Sequence, residues 1–206
     1  MNTFNKPKRF VVGLTGGIGT GKSSVLAEFE RRGAAALSLD QLAHQQARPG
    51  REGHRAILRA FGRAVLDGKG RIDRRALGEL VFRDKSARAR LERAVHPPIL
   101  REMGRLLSRM KGIIVVDVPL LFEKGMQDRF DATVLVSCRP AAQVRRIVER
   151  DGLSAAEARR RMAAQWPLAR KRALADYMID NDRSLPELRG RVGALHAGLT
   201  LLYGGK

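Results

Sequence analysis

GGIGTGKS, residues 16–23, is the stretch that decides the fold. It matches the phosphate-loop pattern G-x-x-x-x-G-K-[ST]. The apolar run from Phe10 to Thr15 precedes it and predicts a buried parallel strand, and a helical pattern follows from Lys22 to Arg32. Because glycines carry no side chain, such a loop wraps its backbone N–H groups around phosphate oxygens, and the helix N-terminus behind it favours negative charge. The stretch therefore predicts a strand–loop–helix unit that binds a nucleoside triphosphate.

The polar residues of this loop have distinct predicted tasks. Lys22 places its ammonium on the β- and γ-phosphates, and the Ser23 hydroxyl is a ligand for Mg²⁺. The predicted triphosphate contacts are Gly16, Gly17, Gly19, Thr20, Gly21, Lys22 and Ser23.

Strand and helix patterns alternate along much of the remaining chain. Apolar runs predict strands at 34–39, 112–118 and 132–137, and at Met178-Ile179. Pro140 begins a predicted helix that runs through Asp151. Two further helices are predicted to begin at capping boxes, Ser154 with Glu157 and Ser184 with Glu187. This alternation indicates a layered α/β fold with a mostly parallel sheet.

The segment between Asp40 and Met110 has a different texture. Its apolar residues recur at helical spacing, with predicted breaks at Pro49-Gly50, Asp67-Gly68 and Pro97-Pro98. We expect a helical block inserted between strands.

Composition limits the classes of protein. The 206 residues suffice for one or two domains, and 40 Lys+Arg against 21 Asp+Glu give a formal charge of +19, which favours anionic partners. The single cysteine, Cys138, excludes an internal disulfide framework and indicates a reducing compartment. The chain shows neither a membrane-spanning run nor an N-terminal secretory signal, so we expect a cytoplasmic protein without a membrane partner. We further expect a monomer or weak homo-oligomer.

Three phosphate-loop classes compete. A GTPase normally carries an N-K-x-D guanine reader, and the Asn5-Lys6 pair lies before the first strand without the Asp. A nucleic-acid-dependent ATPase suits the charge, but only 5% of the residues are aromatic, so platforms for base stacking are scarce and no specific nucleic acid is expected. A small-molecule kinase fits the length best.

Two aspartates follow predicted strands. Asp40, after the second strand, either engages the acceptor hydroxyl or caps the helix expected from Gln41. Asp117, at the end of the 112–118 strand, either holds Mg²⁺ through water or stabilises a turn.

A cluster of cations predicts a mobile lid over the nucleotide. Guanidinium groups suit phosphate oxygens, and the alternative is a solvated helix face. The candidate cations are Arg145, Arg146, Arg150, Arg159, Arg160, Arg161, Arg170 and Lys171.

Together these patterns predict a P-loop kinase three-layer core of about five parallel strands. We assign the core to residues 1–40, 112–139 and 173–206, a helical substrate-binding insertion to 41–111, and a helical lid to 140–172.

The sequence resembles the dephospho-CoA kinase family from about Phe10 to Asp182. The matching segments are GLTGGIGTGKSS, LDQLAH, DGKGRIDRRALGELVF, LERAVHPPI, VVDVPLLFEKG and ALADYMIDND. The resemblance implies transfer of phosphate from ATP, with Mg²⁺, to the ribose 3′-hydroxyl of 3′-dephospho-CoA, the last step of coenzyme A synthesis. The alternatives are a kinase for another nucleotide-like acceptor and a P-loop ATPase that binds nucleic acid.

The resemblance also implies roles for individual residues. Ser24 joins the ATP-binding loop, and Asp40 matches the aspartate that acts as base. Segments that border the dephospho-CoA site contain Arg75, His96 and Leu120. For His96 the alternative is a helix-end residue packed on Pro97.

Four other positions complete the comparison with the family. Arg146 and Arg150 match its lid helix, and Asn181 either contacts adenine or caps the turn into the last helix. The family commonly has Asp-x-Asp after the second strand, whereas Ser38 occupies the first of these positions here.

Overall fold

Residues 9–205 are described by the computed structural model. Contacts divide them into two compact units, residues 9–37 with 110–205, and residues 38–109. The predicted lid segment, 140–172, belongs to the first of these units. No helix within the described part of the chain is long and apolar enough to span a bilayer.

The first unit is built on a five-stranded parallel sheet in the order β2-β3-β1-β4-β5. The strands are β1 Arg9–Gly16, β2 Ala35–Ser38, β3 Gly112–Asp117, β4 Ala132–Ser137 and β5 Tyr177–Asp180. The central strand β1 pairs with β3 on one side and β4 on the other, so that Val12 lies opposite both Val115 and Ala132. Ligands bind at the carboxyl ends of the strands where the strand order of such a sheet reverses, which here is the end of β1. The prediction of about five parallel strands is confirmed.

Nine α-helices are described. They are α1 Lys22–Arg31, α2 Leu39–Gln46, α3 Glu52–Phe61, α4 Arg74–Arg83, α5 Lys85–Leu107, α6 Pro140–Asp151, α7 Ala155–Ala163, α8 Leu168–Arg172 and α9 Leu185–Gly205. Short 3₁₀ helices lie at Arg63–Val65 and Gln127–Arg129.

Local signals set several helix ends of the first unit. α6 has the bounds predicted from Pro140, and α7 begins with the predicted reciprocal capping box between Ser154 and Glu157. At α9 the Glu187 carboxylate accepts hydrogen bonds from the Ser184 N–H and hydroxyl, at 3.1 and 2.8 Å. These bonds satisfy donors that a helix start would otherwise leave without partners.

The core of the first unit lies between the sheet and helices α1 and α9. Phe29 of α1 and Val192 of α9 are fully buried, and they belong to the same apolar cluster as Leu14 of β1. This packing anchors α1, and therefore the loop before it, to the sheet.

The second unit is helical. A cluster of Ile57, Val65 and Leu77 forms its interior, and Phe61 and Val95 pack against that cluster. The predicted breaks at Pro49-Gly50 and Asp67-Gly68 fall between helices, as expected.

The predicted break at Pro97-Pro98 is wrong, because α5 continues through both prolines. A proline inside a helix removes a hydrogen bond and costs about 3 kcal/mol. Pro98 and Ile99 are buried in the unit, and this packing opposes that cost. Pro97 and Arg93 line an open cavity on another side of the helix.

The predicted start of α2 is also corrected. The helix begins at Leu39, and its N-cap is Ser38, whose Oγ accepts the Gln41 N–H at 3.3 Å. Asp40 therefore lies within the first turn and does not cap the helix, so that alternative is wrong. Ser38 has the function of a cap at the position where the family commonly has Asp.

Candidate active site

The phosphate loop folds as a tight turn at the carboxyl end of β1. The Thr20 N–H and hydroxyl both donate to the Gly17 carbonyl, at 3.2 and 2.8 Å. Gly19 and Gly21 have φ values of +76° and +82°, which non-glycine residues rarely adopt. A Cβ on Gly19 would lie 2.8 Å from the Gln143 carbonyl oxygen, so both the backbone angle and the available space require glycine. The loop's own residues thus contribute to its wrapped form.

The start of α1 leaves its first backbone donors available to an anion, whereas the Ser24 N–H already donates to the Gly21 carbonyl at 3.0 Å. The N-cap of α1 is Gly21, which has no side chain to accept the first-turn N–H groups. Ser23 and Ser24 are exposed in that turn. Uncapped donors at the positive end of a helix form a site that favours phosphate.

Lys22 and Asp117 form an ion pair at adjacent strand ends. The Lys22 ammonium donates to Asp117 Oδ1, and both side chains are more than four-fifths buried. Asp117 ends β3, and Lys22 follows the loop that leaves β1, so the parallel pairing of these two strands brings them together. The contact places a cation and a carboxylate beside the loop, where phosphate and metal chemistry need them.

Asn181 and Arg146 hold the far end of the loop. The Asn181 amide donates to the Thr20 carbonyl at 2.8 Å, and Arg146 donates to the same carbonyl at 3.2 Å. Arg146 also donates to the Asn181 carbonyl at 2.8 Å. Asn181 is buried with its amide bound to the loop, and α9 begins four residues later at Leu185, where Ser184 bonds to Glu187, so the alternative of a cap is wrong. Its contact with adenine stays a prediction.

Two glutamines that the sequence reasoning did not single out clamp Ile18 at the tip of the loop. The Ile18 N–H donates to Gln165 Oε1 at 2.9 Å, and Gln143 Nε2 donates to the Ile18 carbonyl at 2.7 Å. One signal was available for Gln143. It lies four residues before the buried Ile147 on α6, so it is a polar residue on the face of the helix that packs inward.

The lid cations have several different partners. Arg150 pairs with Asp151 at 2.7 Å, and this hydrogen bond raises the pKa of Arg150 and lowers the pKa of Asp151. Arg170 stacks on the Trp166 ring, with 3.4 Å from its guanidinium carbon to the ring centroid. Contact of Arg146 and Arg150 with ATP stays a prediction.

Lys171 is the clear exception among these cations. Its side chain is fully buried, and its Nζ lies 2.6 Å from Glu123 Oε1. The two expectations for a lid cation were contact with phosphate and a solvated helix face, and Lys171 fits neither. Its ammonium is instead paired with the carboxylate of Glu123, from the VPLLFE segment. Glu123 lies in the segment VVDVPLLFEKG, which carries part of the family resemblance, but the sequence separation of Glu123 and Lys171 gives no sign that they pair.

The residues expected beside the acceptor are placed as follows. Arg75 is 90% exposed and pairs with Glu79 at 3.1 Å. His96 is exposed in the middle of α5, so the alternative of a helix-end histidine is wrong. Asp40 is exposed in α2, whereas Leu120 is partly buried after β3. Their contact with an acceptor stays a prediction.

Cys138 is buried after β4, beside the loop. Burial raises the pKa of its thiol, although nearby Arg146 acts in the opposite direction. A thiol that is kept protonated packs as a small apolar group and is a poor nucleophile. Its Sγ lies 3.8 Å from the Gly19 carbonyl oxygen, so the residue contacts the loop.

The chain is similar to known proteins over most of its length. A family model described as dephospho-CoA kinase matches residues 10–187. Proteins named dephospho-CoA kinase from Geobacter sulfurreducens and Methylococcus capsulatus are 44% and 42% identical, over 91% and 93% of this chain and 97% and 98% of their own.

Solved structures show the same likeness. A crystal structure from Thermus thermophilus is 39% identical, with a TM-score of 0.82 over 94% of this chain and all of that one. Dephospho-CoA kinase from Campylobacter jejuni is 26% identical, with a TM-score of 0.70 over 93% of this chain and 98% of its own. Shikimate kinase from Acinetobacter baumannii, at 16% identity and a TM-score of 0.51, shares the fold.

Proposed function

The chain belongs to the dephospho-CoA kinase family and is a kinase of coenzyme A biosynthesis, and we propose that Lys22, Asp40 and the phosphate loop carry its reaction. The substrates are ATP and 3′-dephospho-CoA, whose ribose 3′-hydroxyl receives the γ-phosphoryl group. The observation that carries the proposal is the wrapped loop at the end of β1 with the Lys22–Asp117 pair beside it.

The loop and Lys22 bind the triphosphate in this proposal. Backbone N–H groups at the start of α1 are uncapped, and Lys22 supplies a charge for the β- and γ-phosphates. Phosphoryl transfer depends mainly on positioning and on charge stabilisation, so fixed donors lower the barrier without reorganising during the reaction. Asn181 and Arg146 hold the Thr20 carbonyl and so keep those donors in place.

Asp40 engages the acceptor hydroxyl. Ser38 caps α2, so the Asp40 carboxylate is not needed for capping. Asp40 is exposed, and within residues 9–205 no hydrogen bond or ion pair engages its carboxylate. A carboxylate in this condition is free to orient the ribose 3′-hydroxyl and take its proton.

Ser23 and Asp117 fit a divalent metal. They offer a hydroxyl and a carboxylate oxygen, and Mg²⁺ typically takes one or two such protein ligands with the rest from phosphates and water. Among the described residues there is no cluster of three or more acidic, His or Cys side chains that would form a closed metal site. When bound, Mg²⁺ would neutralise charge on the β- and γ-phosphates. We place the reaction in the cytoplasm, where a free buried thiol such as Cys138 stays reduced.

Asp40→Asn tests the assignment of the base. We expect turnover to fall by about 10²–10⁴-fold, the usual contribution of a general acid–base group, while ATP affinity changes by about twofold or less. ADP release with dephospho-CoA and titration with MgATP measure the two quantities. Asp128→Asn, at an exposed aspartate of the 3₁₀ helix Gln127–Arg129, is the matched control. Turnover of Asp40→Asn within about tenfold of wild type would show that another group acts as base.

The acceptor is tested by substitution of the substrate. ADP release is measured with dephospho-CoA, with a nucleoside monophosphate and with single-stranded DNA or RNA, each added separately. We expect stimulation by dephospho-CoA alone. Stimulation by the monophosphate or the nucleic acid would instead support the alternative kinase or the ATPase.

A further inference from the structure

The segment from Gln165 to Lys171 bridges the phosphate loop and the loop after β3. At one end, Gln165 accepts the Ile18 N–H at 2.9 Å. At the other end, the Lys171 ammonium lies 2.6 Å from Glu123 Oε1, and the same oxygen accepts the Trp166 N–H at 3.2 Å. Glu123 therefore contacts the segment at Lys171 and at Trp166, and Trp166 is the residue next to Gln165.

This bridge matters because the phosphate loop is held from outside at its tip. Both backbone polar groups of Ile18 are bound by side chains, the N–H by Gln165 and the carbonyl by Gln143. Gln143 lies on α6, a helix of 12 residues anchored by the fully buried Ile147. Gln165 lies between two shorter helices: its N–H donates to the Met162 carbonyl at the end of α7 at 3.1 Å, and it precedes α8, which has only 5 residues. A further anchor on the α8 side therefore fixes the segment that carries Gln165.

The Glu123–Lys171 pair supplies that anchor, but burying its two charges removes them from water and costs free energy of hydration. The Lys171 side chain is fully buried and that of Glu123 is 12% exposed. Within residues 9–205, no hydrogen bond satisfies Lys171 Nζ or Glu123 Oε2, so the pair has only the Trp166 N–H on Glu123 Oε1 to offset the burial of its charges. Apolar residues of similar volume often replace such a pair without loss of stability. Stability is therefore a poor explanation for two buried charges at this point.

We propose that Glu123 and Lys171 are positioning residues for the phosphate loop. Their ion pair fixes the segment 165–171, which holds Gln165 on the Ile18 N–H, and so keeps the loop in the form that receives the triphosphate. The inference rests on the proposed function in one respect, that this loop binds the phosphates of ATP. Neither residue touches substrate in this scheme.

Four variants separate positioning from stability. Lys171→Met and Glu123→Gln each break the pair, and Glu123→Leu combined with Lys171→Met replaces both charges by apolar groups. Gln165→Leu removes only the contact with Ile18. Arg183→Met, which breaks the exposed ion pair with Glu187, is the control. MgATP dissociation constants are measured by calorimetric titration without acceptor, together with the melting temperature and with kcat and KM for ATP.

We expect the single variants Lys171→Met and Glu123→Gln to melt at lower temperature and to bind MgATP about tenfold more weakly. The double variant recovers the melting temperature but keeps the weak binding, because Trp166 and Gln165 remain without their anchor. Gln165→Leu weakens binding to a similar extent at an almost unchanged melting temperature, and the control changes neither quantity.

Two results would overturn the proposal. One is a double variant that regains ATP affinity along with stability, which would show that the pair acts through stability alone. The other is Gln165→Leu with wild-type affinity, which decides the question even where a charge variant fails to fold. If wild type binds MgATP but does not phosphorylate dephospho-CoA, the proposed function fails, and the comparison of ATP affinities still tests the pair.

Discussion

The cations beside the phosphate loop differ from those of the helical unit in how they are held. Beside the loop, Lys22, Arg146 and Lys171 are partly or fully buried, and each is bound to a carboxylate or to backbone carbonyls. In the helical unit, two adjoining cavities of about 360 and 330 Å³ between α3 and α5 are lined by exposed arginines, with two glutamates among them. These arginines are Arg51, Arg55, Arg59, Arg93, Arg101 and Arg105.

The difference shows that the cations behind the formal charge of +19 act in two physically different ways. A cation bound in one geometry acts on neighbouring atoms, and its loss leaves an uncompensated partner. An exposed arginine contributes mainly to the long-range field, which salt screens, and its loss is nearly neutral for stability. Each of the substitutions below tests one side of this comparison.

Lys22→Met gives the largest expected effect. It removes the charge that faces the β- and γ-phosphates and leaves Asp117 without its ion-pair partner. We expect kcat/KM for ATP to fall by about 10²–10³-fold, as for loss of one stabilising donor in an active site. Steady-state ADP release measures it. A loss below about tenfold would mean that backbone donors alone hold the triphosphate. Lys22 would then not differ in effect from an exposed arginine of the helical unit.

Asn181→Leu has an intermediate expected effect. It keeps the volume but removes the donor to the Thr20 carbonyl, which Arg146 still contacts. We expect the free energy of unfolding to fall by about 1–3 kcal/mol, with weaker MgATP binding, because a buried amide contact to the loop is lost. Urea denaturation and titration measure the two quantities. A stability loss with unchanged ATP affinity would show that the contact does not shape the loop.

Arg105→Met tests an ion pair of the helical unit whose arginine is exposed. Arg105 donates to Glu102 at 2.8 and 2.6 Å, and this hydrogen bond lowers the pKa of Glu102. At neutral pH we expect a change in the free energy of unfolding of about 0–1 kcal/mol, because the Arg105 side chain is 46% exposed and the pair joins residues three apart on one helix. Equilibrium denaturation at several pH values measures it.

The pH dependence of that small difference has a definite sign. A carboxyl whose folded pKa is lowered contributes stability above its unfolded pKa, and that stability is lost as the pH falls through the folded pKa. Wild type and Arg105→Met should therefore converge once the pH is well below about 4.3, the ordinary pKa of Glu. A difference that grows with acidity would contradict the assigned pair.

Arg59→Gln should have the smallest effect. Arg59 is exposed, and within residues 9–205 no ion pair engages it. We expect stability within about 0.5 kcal/mol of wild type, as for most surface substitutions, and unchanged kcat. Denaturation and ADP release measure these quantities. A tenfold change in activity would show that the helical unit holds its arginines for a specific contact.

Much of the fold follows from local patterns. The glycine-rich loop with its strand and helix, the helix beginning at Pro140 and the capping box at Ser154 are confirmed. Each signal lies within a few residues of the structure that it predicts, because capping, turn geometry and apolar periodicity are short-range effects.

Two of the wrong predictions have one cause in common. α5 continues through Pro97-Pro98 because its buried face packs in the helical unit, and Asn181 turns to the loop instead of capping α9. In both cases a tertiary contact outweighs a local preference. The partners of Asn181 and Ile18 lie more than a hundred positions away in the sequence, where spacing carries no information.

The amino-acid sequence by itself therefore determined the α/β class, the triphosphate loop and the family, because these depend on residue types at fixed short spacings. The tertiary structure alone decided which side chains hold that loop: Gln143 and Gln165 on Ile18, Asp117 on Lys22, and Glu123 on Lys171. The physical reason is that a buried polar group takes whatever partner the packed sheet and helices bring within hydrogen-bonding distance.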